Sequence, residues 1–134
     1  MKKTGLILLP IIAIVLEALP YGTVLVFASS PTERIRETFS FFSFTPFAYA
    51  NFTPFITAIL TCVILLLALI SIKKSNFVKY IFLISLCGAM FSLMPLLFGI
   101  EYFTPVSGIV AALLIGECSL ARSLMKIKRG NQTL

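Results

Sequence analysis

The sequence contains no histidine, no tryptophan and no aspartate, and its five acidic residues are all glutamate. Histidine is the commonest general acid–base catalyst, and imidazole or clustered thiolates hold most protein-bound zinc and copper. The three cysteines, Cys62, Cys87 and Cys118, lie in three different apolar stretches without a C-x-x-C pair. Neither a Gly-rich phosphate loop nor a G-x-S-x-G motif occurs. We therefore expect no enzymatic activity, no metal and no cofactor.

Charge is also scarce in this chain, whereas apolar residues are abundant. Charged residues make up 12% of the 134 residues and apolar residues 59%, against about 25% and 45–50% in soluble domains. A chain this short buries only part of its surface on folding, so a soluble fold could not cover so many apolar side chains. The composition excludes a soluble globular domain and predicts an integral membrane protein whose first partner is the lipid bilayer.

Four apolar stretches are long enough to cross a bilayer, which takes a helix of about 20 residues. They cover residues 5–28, 54–72, 77–100 and 105–125. None alternates polar and apolar residues as a barrel strand does, and a helix satisfies its own backbone in lipid. The sequence predicts an all-α polytopic membrane protein, with a bundle of four transmembrane helices in one membrane domain over residues 1–134 and a loop over residues 29–53.

The basic residues are distributed asymmetrically between the two ends of these spans. Two of the eleven, Arg34 and Arg36, lie in the 29–53 loop, and the other nine flank the opposite ends: Lys2, Lys3, Lys73, Lys74, Lys79, Arg122, Lys126, Lys128 and Arg129. The positive-inside rule then predicts a multi-pass cell-membrane protein with both termini cytoplasmic and the loop outside. Basic residues that flank spans form no soluble face, so we expect no nucleic-acid partner. As an alternative, the first span is a cleaved signal with a cleavage site at residues 26–28.

The 29–53 loop divides into a charged part and an aromatic part. The segment Ser30-Pro31-Thr32-Glu33 has the pattern of a capping box and predicts a short charged helix after it. The aromatic part is expected to lie at the membrane interface or to cover the bundle. In an alternative interpretation it binds a partner, and the candidate interface residues are Phe41, Phe42, Phe44, Phe47 and Tyr49.

The tripeptide Phe-Thr-Pro occurs at residues 44–46, 52–54 and 103–105. Threonine can cap the free N–H groups of a helix start, and proline fits the first helical position. We therefore predict that Thr53 and Thr104 cap the second and fourth spans, and that a short turn of helix begins at Pro46.

The segments LEALPYG and TPFAYANFTPFITAILTC, within Leu16–Cys62, carry a resemblance to a known family. This part of the chain resembles an uncharacterised family of small four-span bacterial membrane proteins. The resemblance implies the four-span architecture and brings no activity, cofactor or site.

Small residues recur at a four-residue interval in the fourth span, at Gly108, Ala112 and Gly116. Such spacing lets helix backbones approach closely in a membrane. It predicts either packing within the bundle or a homodimer face.

Two glutamates, Glu17 and Glu117, lie deep in the first and fourth spans, where ionisable residues are functional candidates. The predicted boundaries place them at depths that differ by roughly 4 Å. Two carboxylates facing the bundle interior there cannot both be ionised without a cation, which predicts a proton or cation site. In the alternative, each glutamate is protonated and bonded to a backbone carbonyl or a hydroxyl; for Glu17, the Leu16 carbonyl that Pro20 leaves free is one such acceptor.

The sequence thus predicts a small membrane protein without enzymatic activity that acts as an accessory or interaction subunit, bound to a membrane-protein partner or a second copy of itself. The alternative is an oligomeric proton- or cation-coupled transporter or channel that uses Glu17 and Glu117.

Overall fold

The computed structural model describes residues 2–132, with the backbone alone at Ser75. The single domain expected over residues 1–134 extends to Met1, Thr133 and Leu134, which lie outside the described residues. The described chain is mostly helical. Its helices are α1 (Lys2–Ala18), α2 (Phe44–Ala48), α3 (Thr53–Ser71), α4 (Val78–Leu93), α5 (Pro95–Phe98) and α6 (Pro105–Gln132). Among the described residues, three helical stretches are long and apolar enough to cross a membrane: α3, α4 together with α5, and α6.

The first helix is shorter than expected, and a β-hairpin follows it. Helix α1 ends at Ala18, whereas the sequence predicted a helix over residues 5–28. Strand β1 (Thr23–Ala28) pairs antiparallel with strand β2 (Arg34–Phe39), so that Thr23 lies opposite Phe39 and Ala28 opposite Arg34. The predictions of helix at residues 23–28 and of a short charged helix after Glu33 are therefore wrong, and the fold is not all-α.

Local chemistry explains this correction. Pro20 has no N–H to donate and disfavours helical geometry at the preceding residue, so α1 stops there. The segment TVLVFA that follows is rich in β-branched and aromatic residues, which favour strands. The Ser30 hydroxyl accepts hydrogen bonds from the N–H groups of Thr32 (3.4 Å) and Glu33 (3.0 Å). The Ser-Pro pattern therefore closes the hairpin turn instead of starting a helix.

The four long helices pack in a ring, in which α1 and α4 each contact both α3 and α6. The Lys2 ammonium donates to Ser123 Oγ, and the Lys128 ammonium to Asn76 Oδ1. These contacts bring the start of α1, the α3–α4 connection and the end of α6 to one end of the ring, which we call the basic end. The opposite end carries β1 and β2, and we call it the hairpin end.

Each helix buries one stripe of residues spaced three or four apart, as expected for helices with one packed face. Close approach marks the α4–α6 contact, where a Cβ added at Gly88 would lie 3.1 Å from Leu114 Cδ1. The buried stripes contain polar as well as apolar residues: Leu6, Pro10, Ala13 and Glu17 on α1; Thr57, Thr61, Ile64 and Ala68 on α3; Ile81, Ser85, Gly88 and Ser92 on α4; Ser107, Val110, Leu114 and Glu117 on α6.

Gly22 joins the hairpin to the helices. Its carbonyl oxygen accepts hydrogen bonds from the hydroxyls of Thr104 (2.7 Å) and Ser107 (3.0 Å) on the α6 side. A Cβ at this position would lie 2.5 Å from Cδ1 of the buried Phe41 ring. The Phe41 N–H in turn donates to the Glu17 carbonyl (2.9 Å). The hairpin is therefore fixed over the end of α1, with Glu17 directly beneath it.

Candidate functional site

Glu17 is the penultimate residue of α1, and none of its surface is exposed. Its Oε1 atom lies 2.8 Å from the hydroxyl of Thr61 on α3. Its Oε2 atom is buried and has no hydrogen-bond partner among residues 2–132. The Leu16 carbonyl, the local acceptor expected for a protonated Glu17, accepts instead from the Leu19 N–H (3.1 Å). The side chain of Glu17 thus bonds to a neighbouring helix and not to its own.

Glu117 lies in the middle of α6 and is 1% exposed. Both of its carboxylate oxygens are buried, and neither has a hydrogen-bond partner in the described part of the chain. The preceding residue, Gly116, packs against α1, because a Cβ added there would lie 3.7 Å from Leu9 Cδ1. Glu117 therefore lies where α6 meets α1, without a hydrogen-bond partner among residues 2–132.

The backbones of the two glutamates lie at different depths in the ring. Gly116 is opposite Leu9, and Glu17 lies eight residues further along α1, a rise of about 12 Å. The smaller offset expected from the sequence depended on a first helix that continued to residue 28. Side chains in helices lean toward the N-terminus of their own helix. Since α1 and α6 are antiparallel, the two carboxyl groups lean toward one another along the bundle.

The structure also places Thr61 beside Glu17 and Thr57 one turn before it on the same face of α3, two threonines that the sequence analysis did not single out. Thr57 and Thr61 are both fully buried, and their hydroxyls lie 2.8 Å from the carbonyl oxygen of Thr53 and 2.9 Å from that of Thr57, respectively. The signal in the sequence was the four-residue spacing of Thr53, Thr57 and Thr61, which places three hydroxyls on one helix face.

The predicted threonine caps differ in outcome. Thr104 caps α6, because its hydroxyl accepts a hydrogen bond from the Ser107 N–H (3.1 Å), which confirms that prediction. The prediction for Thr53 is wrong: α3 begins at Thr53 itself, and its hydroxyl donates to Asn51 Oδ1 (3.1 Å). Helix α2 begins at Phe44 and not at Pro46, with Ser43 as its cap.

The candidate interface residues divide into buried and exposed groups. Phe41 is 1% exposed and Phe42 packs against the core, so neither offers a free surface. Phe44 is 70% exposed and Tyr49 62%, and Phe47 is also exposed. Together with Phe52 these three form the aromatic patch. The rings of Phe47 and Phe52 lie 4.8 Å apart, centroid to centroid, in edge-to-face contact.

A groove of about 430 Å³ adjoins the aromatic patch at the hairpin end. Strand β1 forms one wall, and the other walls include Tyr49, Pro95, Phe98 and Tyr102. The patch and the groove form a continuous apolar surface beside the hairpin, because Tyr49 belongs to both.

The small residues of α6 do not share one contact. Gly116 packs against α1, and Gly108 lies beside the Phe103 ring, with 3.3 Å between an added Cβ and Phe103 Cζ. Ala112, between them, is exposed. Packing within the ring therefore explains why a small residue is present at Gly116. A homodimer face through Ala112 stays a prediction.

In the part of the chain that the structure describes, no group of three or more histidine, cysteine, aspartate or glutamate side chains is arranged to hold a metal ion. No protein-family model, no curated protein and no solved structure matches this chain. The resemblance at Leu16–Cys62 therefore stays an expectation, and the proposals below depend on the residues themselves.

Proposed function

We propose that this protein is integral to the cell membrane, crosses it four times through α1, α3, α4 with α5, and α6, and has both termini in the cytoplasm. The distribution of polar residues carries this proposal. The ring encloses Glu17, Thr57, Thr61 and Glu117, whereas large apolar side chains cover its outside: Leu8, Val15, Leu66, Leu83, Met90 and Ile115. A soluble bundle has the opposite arrangement.

The proposed orientation follows from the charged end of the ring. The basic end collects the lysines around Lys2 and Lys128, and basic residues favour the cytoplasmic face. Helix α1 has 17 residues, at the lower limit of about 17 for a crossing helix. The fixed hairpin then covers the outer end of this short helix.

Cysteine labelling tests this topology. In a chain whose native cysteines are replaced by serine, Thr32→Cys in the hairpin turn should react with a membrane-impermeant maleimide in intact cells. The matched variant Asn131→Cys, at the basic end of α6, should react only after lysis. The reverse pattern would overturn the orientation, and labelling of both variants in intact cells would overturn the four-span arrangement.

Within the membrane, we propose that the protein acts as an accessory or interaction subunit without enzymatic activity. Support comes from the aromatic patch, whose Phe44 and Tyr49 side chains stay largely exposed although the hairpin beside them is fixed. Exposed apolar surface on a rigid element is typical of a contact site. The bound partner is a membrane protein that reaches the hairpin end.

Purification in mild detergent with matched variants tests this role. A partner should co-purify in a fixed ratio and be lost from Phe44→Ser and Tyr49→Ser. Tyr80→Ser removes another exposed aromatic residue, next to the basic end, and should retain the partner. Purification without any stoichiometric partner, or retention of the partner by both patch variants, would contradict the proposal.

A second candidate function is proton- or cation-coupled transport, and the burial of Glu17 and Glu117 inside the ring favours it. In sealed vesicles containing the protein, ion or proton flux should vanish in Glu17→Gln and Glu117→Gln. Glu101→Gln, at an exposed glutamate, is the matched control. An absence of flux in the unaltered protein would contradict transport.

A further inference from the structure

We propose that Glu17 and Glu117 each hold a proton at neutral pH, so that the ring contains two built proton sites, the first of which uses the Thr61 hydroxyl as its hydrogen-bond acceptor. This inference identifies the ligand at the site on which the second candidate function rests. It does not require that the proton moves.

The contacts of Thr61 favour an additional proton. Its Oγ1 atom lies 2.8 Å from Glu17 Oε1 and 2.9 Å from the Thr57 carbonyl oxygen. A hydroxyl has one hydrogen to donate, and a carbonyl oxygen only accepts. If Glu17 were ionised, Thr61 would have to share its one hydrogen between two acceptors in a three-centre bond, and each of the two contacts would be weaker than a bond with its own hydrogen.

Protonation of Glu17 resolves this conflict. Thr61 then donates to the Thr57 carbonyl, as Thr57 donates to Thr53 and Ser85 to Ile81 (2.7 Å) elsewhere in the ring. The carboxylic acid of Glu17 donates its own proton to Thr61 Oγ1. The remaining Glu17 oxygen, which has no partner among residues 2–132, belongs to a neutral group, whose burial costs far less than that of a charge.

Glu117 is also protonated, but for a different reason. Neither of its oxygens has a hydrogen-bond partner in the described chain, and both are buried. No lysine or arginine of residues 2–132 forms an ion pair with it; the nearest basic residue in sequence, Arg122, is exposed and five residues further along α6. An isolated buried carboxylate is so unfavourable that the group takes up a proton instead.

In the described part of the chain, the other groups around the two glutamates do not supply a positive charge. Cys62 follows Thr61 on α3, and Cys118 follows Glu117 on α6; both are free thiols that are only partly buried. Helices α1 and α4 contribute Leu9 and the Ser85 hydroxyl near these levels, and Ser85 bonds within its own helix.

The same environment favours a proton over a metal cation. Hard cations bind through several oxygen ligands, six to eight in the case of calcium. Neither carboxylate oxygen of Glu117 has a hydrogen-bond partner in the described chain, and no group of three or more acidic, thiol or imidazole side chains is arranged there to hold a metal ion. A proton needs one oxygen and no coordination shell, so it fits both sites as they are built.

Infrared spectroscopy of the full chain in lipid vesicles tests this inference directly. A protonated carboxyl group has a carbonyl stretch that an ionised carboxylate lacks. At neutral pH we expect this absorption in the unaltered protein, with about half of its area lost in Glu17→Gln and the rest lost in Glu117→Gln. The matched control Glu101→Gln, at a residue whose side chain is 70% exposed, should leave the absorption unchanged.

A second pair of variants tests the role of Thr61. Thr61→Val removes the proposed acceptor and should shift the frequency of the component that Glu17→Gln abolishes. Thr57→Val removes a hydroxyl that bonds within α3 and should leave that component in place. A shift in Thr57→Val but not in Thr61→Val would overturn the assignment of the acceptor.

The following outcomes would overturn the proton sites. One is an absence of the protonated-carboxyl absorption at neutral pH; another is its loss when sodium or potassium replaces a bulky organic cation in the buffer. The second result would identify a metal cation as the ligand. If no flux is measured but the protonated-carboxyl absorption persists, transport is contradicted and the proton sites are retained. The two proposals can therefore fail separately.

Discussion

The two halves of the helical ring bury different chemistry. In the half next to the hairpin, several buried hydroxyls bond between elements: Thr104 and Ser107 donate to the Gly22 carbonyl, and Ser92 donates to the Ser107 carbonyl (2.9 Å). These bonds connect α4, α6 and the turn before β1. Thr57 is an exception, because it bonds within α3. In a membrane, where lipid is as apolar as leucine, hydrogen bonds between helices contribute more to specificity than burial does.

In the half next to the basic end, buried hydroxyls bond only within their own helices, Ser71 to the Ala68 carbonyl and Ser85 to the Ile81 carbonyl (2.8 and 2.7 Å). Aliphatic and small side chains fill the space between the helices there, among them Leu6, Ile64, Ala68, Val78 and Ala121. At the basic end itself, a hydrogen bond again joins two helices, from the Lys2 ammonium on α1 to Ser123 Oγ on α6. Van der Waals packing of side chains therefore stabilises the half next to the basic end.

The two glutamates show what the difference means for a polar group. Glu17 lies in the hydroxyl-rich half and contacts Thr61, whereas the backbone of Glu117, next to Gly116 and opposite Leu9, lies in the aliphatic half. The Glu117 side chain has no hydrogen-bond partner among residues 2–132. A glutamate side chain therefore contributes a contact between helices in one case and an uncompensated burial in the other.

The largest effect is expected at Gly22, where the hydrogen bonds of the hairpin half converge. Gly22→Ala would place a methyl group 2.5 Å from Cδ1 and 2.9 Å from Cε1 of the buried Phe41 ring. Overpacking of this kind should lower the free energy of unfolding by about 1–3 kcal/mol. Denaturant titration in detergent micelles measures it. Gly130→Ala is the control, because among the described residues a Cβ there meets no atom beyond its own helix backbone within 4 Å, and equal stability of the two variants would contradict the prediction.

A stabilising effect is expected at Glu117. Replacing this unpartnered carboxyl group by an apolar side chain of similar length, Glu117→Met, should raise the free energy of unfolding by about 1–2 kcal/mol, because a buried polar group without a partner is removed. Glu17→Met also removes the contact with Thr61, so it should raise the free energy of unfolding by less. The comparison uses the same micelle titration. A greater gain for Glu17→Met would show that the two halves do not differ in this way.

The two Phe-Thr-Pro sites provide a smaller contrast within the hairpin half. Thr104→Ala removes both the cap of α6 and the bond to Gly22, and should cost about 0.5–2 kcal/mol. Thr53→Ala removes only a bond to Asn51 and should cost less. Thermal unfolding of the two variants side by side measures the difference, and an equal loss would assign a capping role to Thr53 as well.

The Phe-Thr-Pro tripeptide also shows which local features could be predicted from the sequence. Local rules predicted the helix start at Pro105 and its Thr104 cap, because a cap depends on residues within one turn. At residues 52–54 the same three residues place threonine inside the helix, because Phe52 already adopts helical geometry as the cap residue. The tripeptide does not encode the conformation of the residue before it.

Tertiary partners account for the larger errors. Residues 23–28 form an apolar run that suits a buried helix or a strand equally, and periodicity cannot distinguish the two. The pairing of Thr23 with Phe39 decided the outcome, and the partner strand, which begins only at Arg34, is not visible in the run itself. The predicted depth of Glu17 was wrong for the same reason. It assumed a first helix that continued to residue 28, whereas α1 ends at Ala18.

The smallest effect is expected on the surface of the hairpin half, at the pair of Arg34 and Glu101. Arg34 Nη1 lies 3.7 Å from Glu101 Oε2, and the two side chains are 74% and 70% exposed. Water and salt screen an exposed pair, and holding two flexible side chains together costs entropy that offsets the attraction. Arg34→Gln should therefore leave the unfolding midpoint unchanged at both low and high salt, in contrast to the buried bonds at Gly22 beneath it. A salt-dependent loss of stability in the unaltered protein that disappears in Arg34→Gln would show that the hairpin is also held electrostatically from outside. The hydrogen bonds to the Gly22 carbonyl would then be only part of what fixes its position.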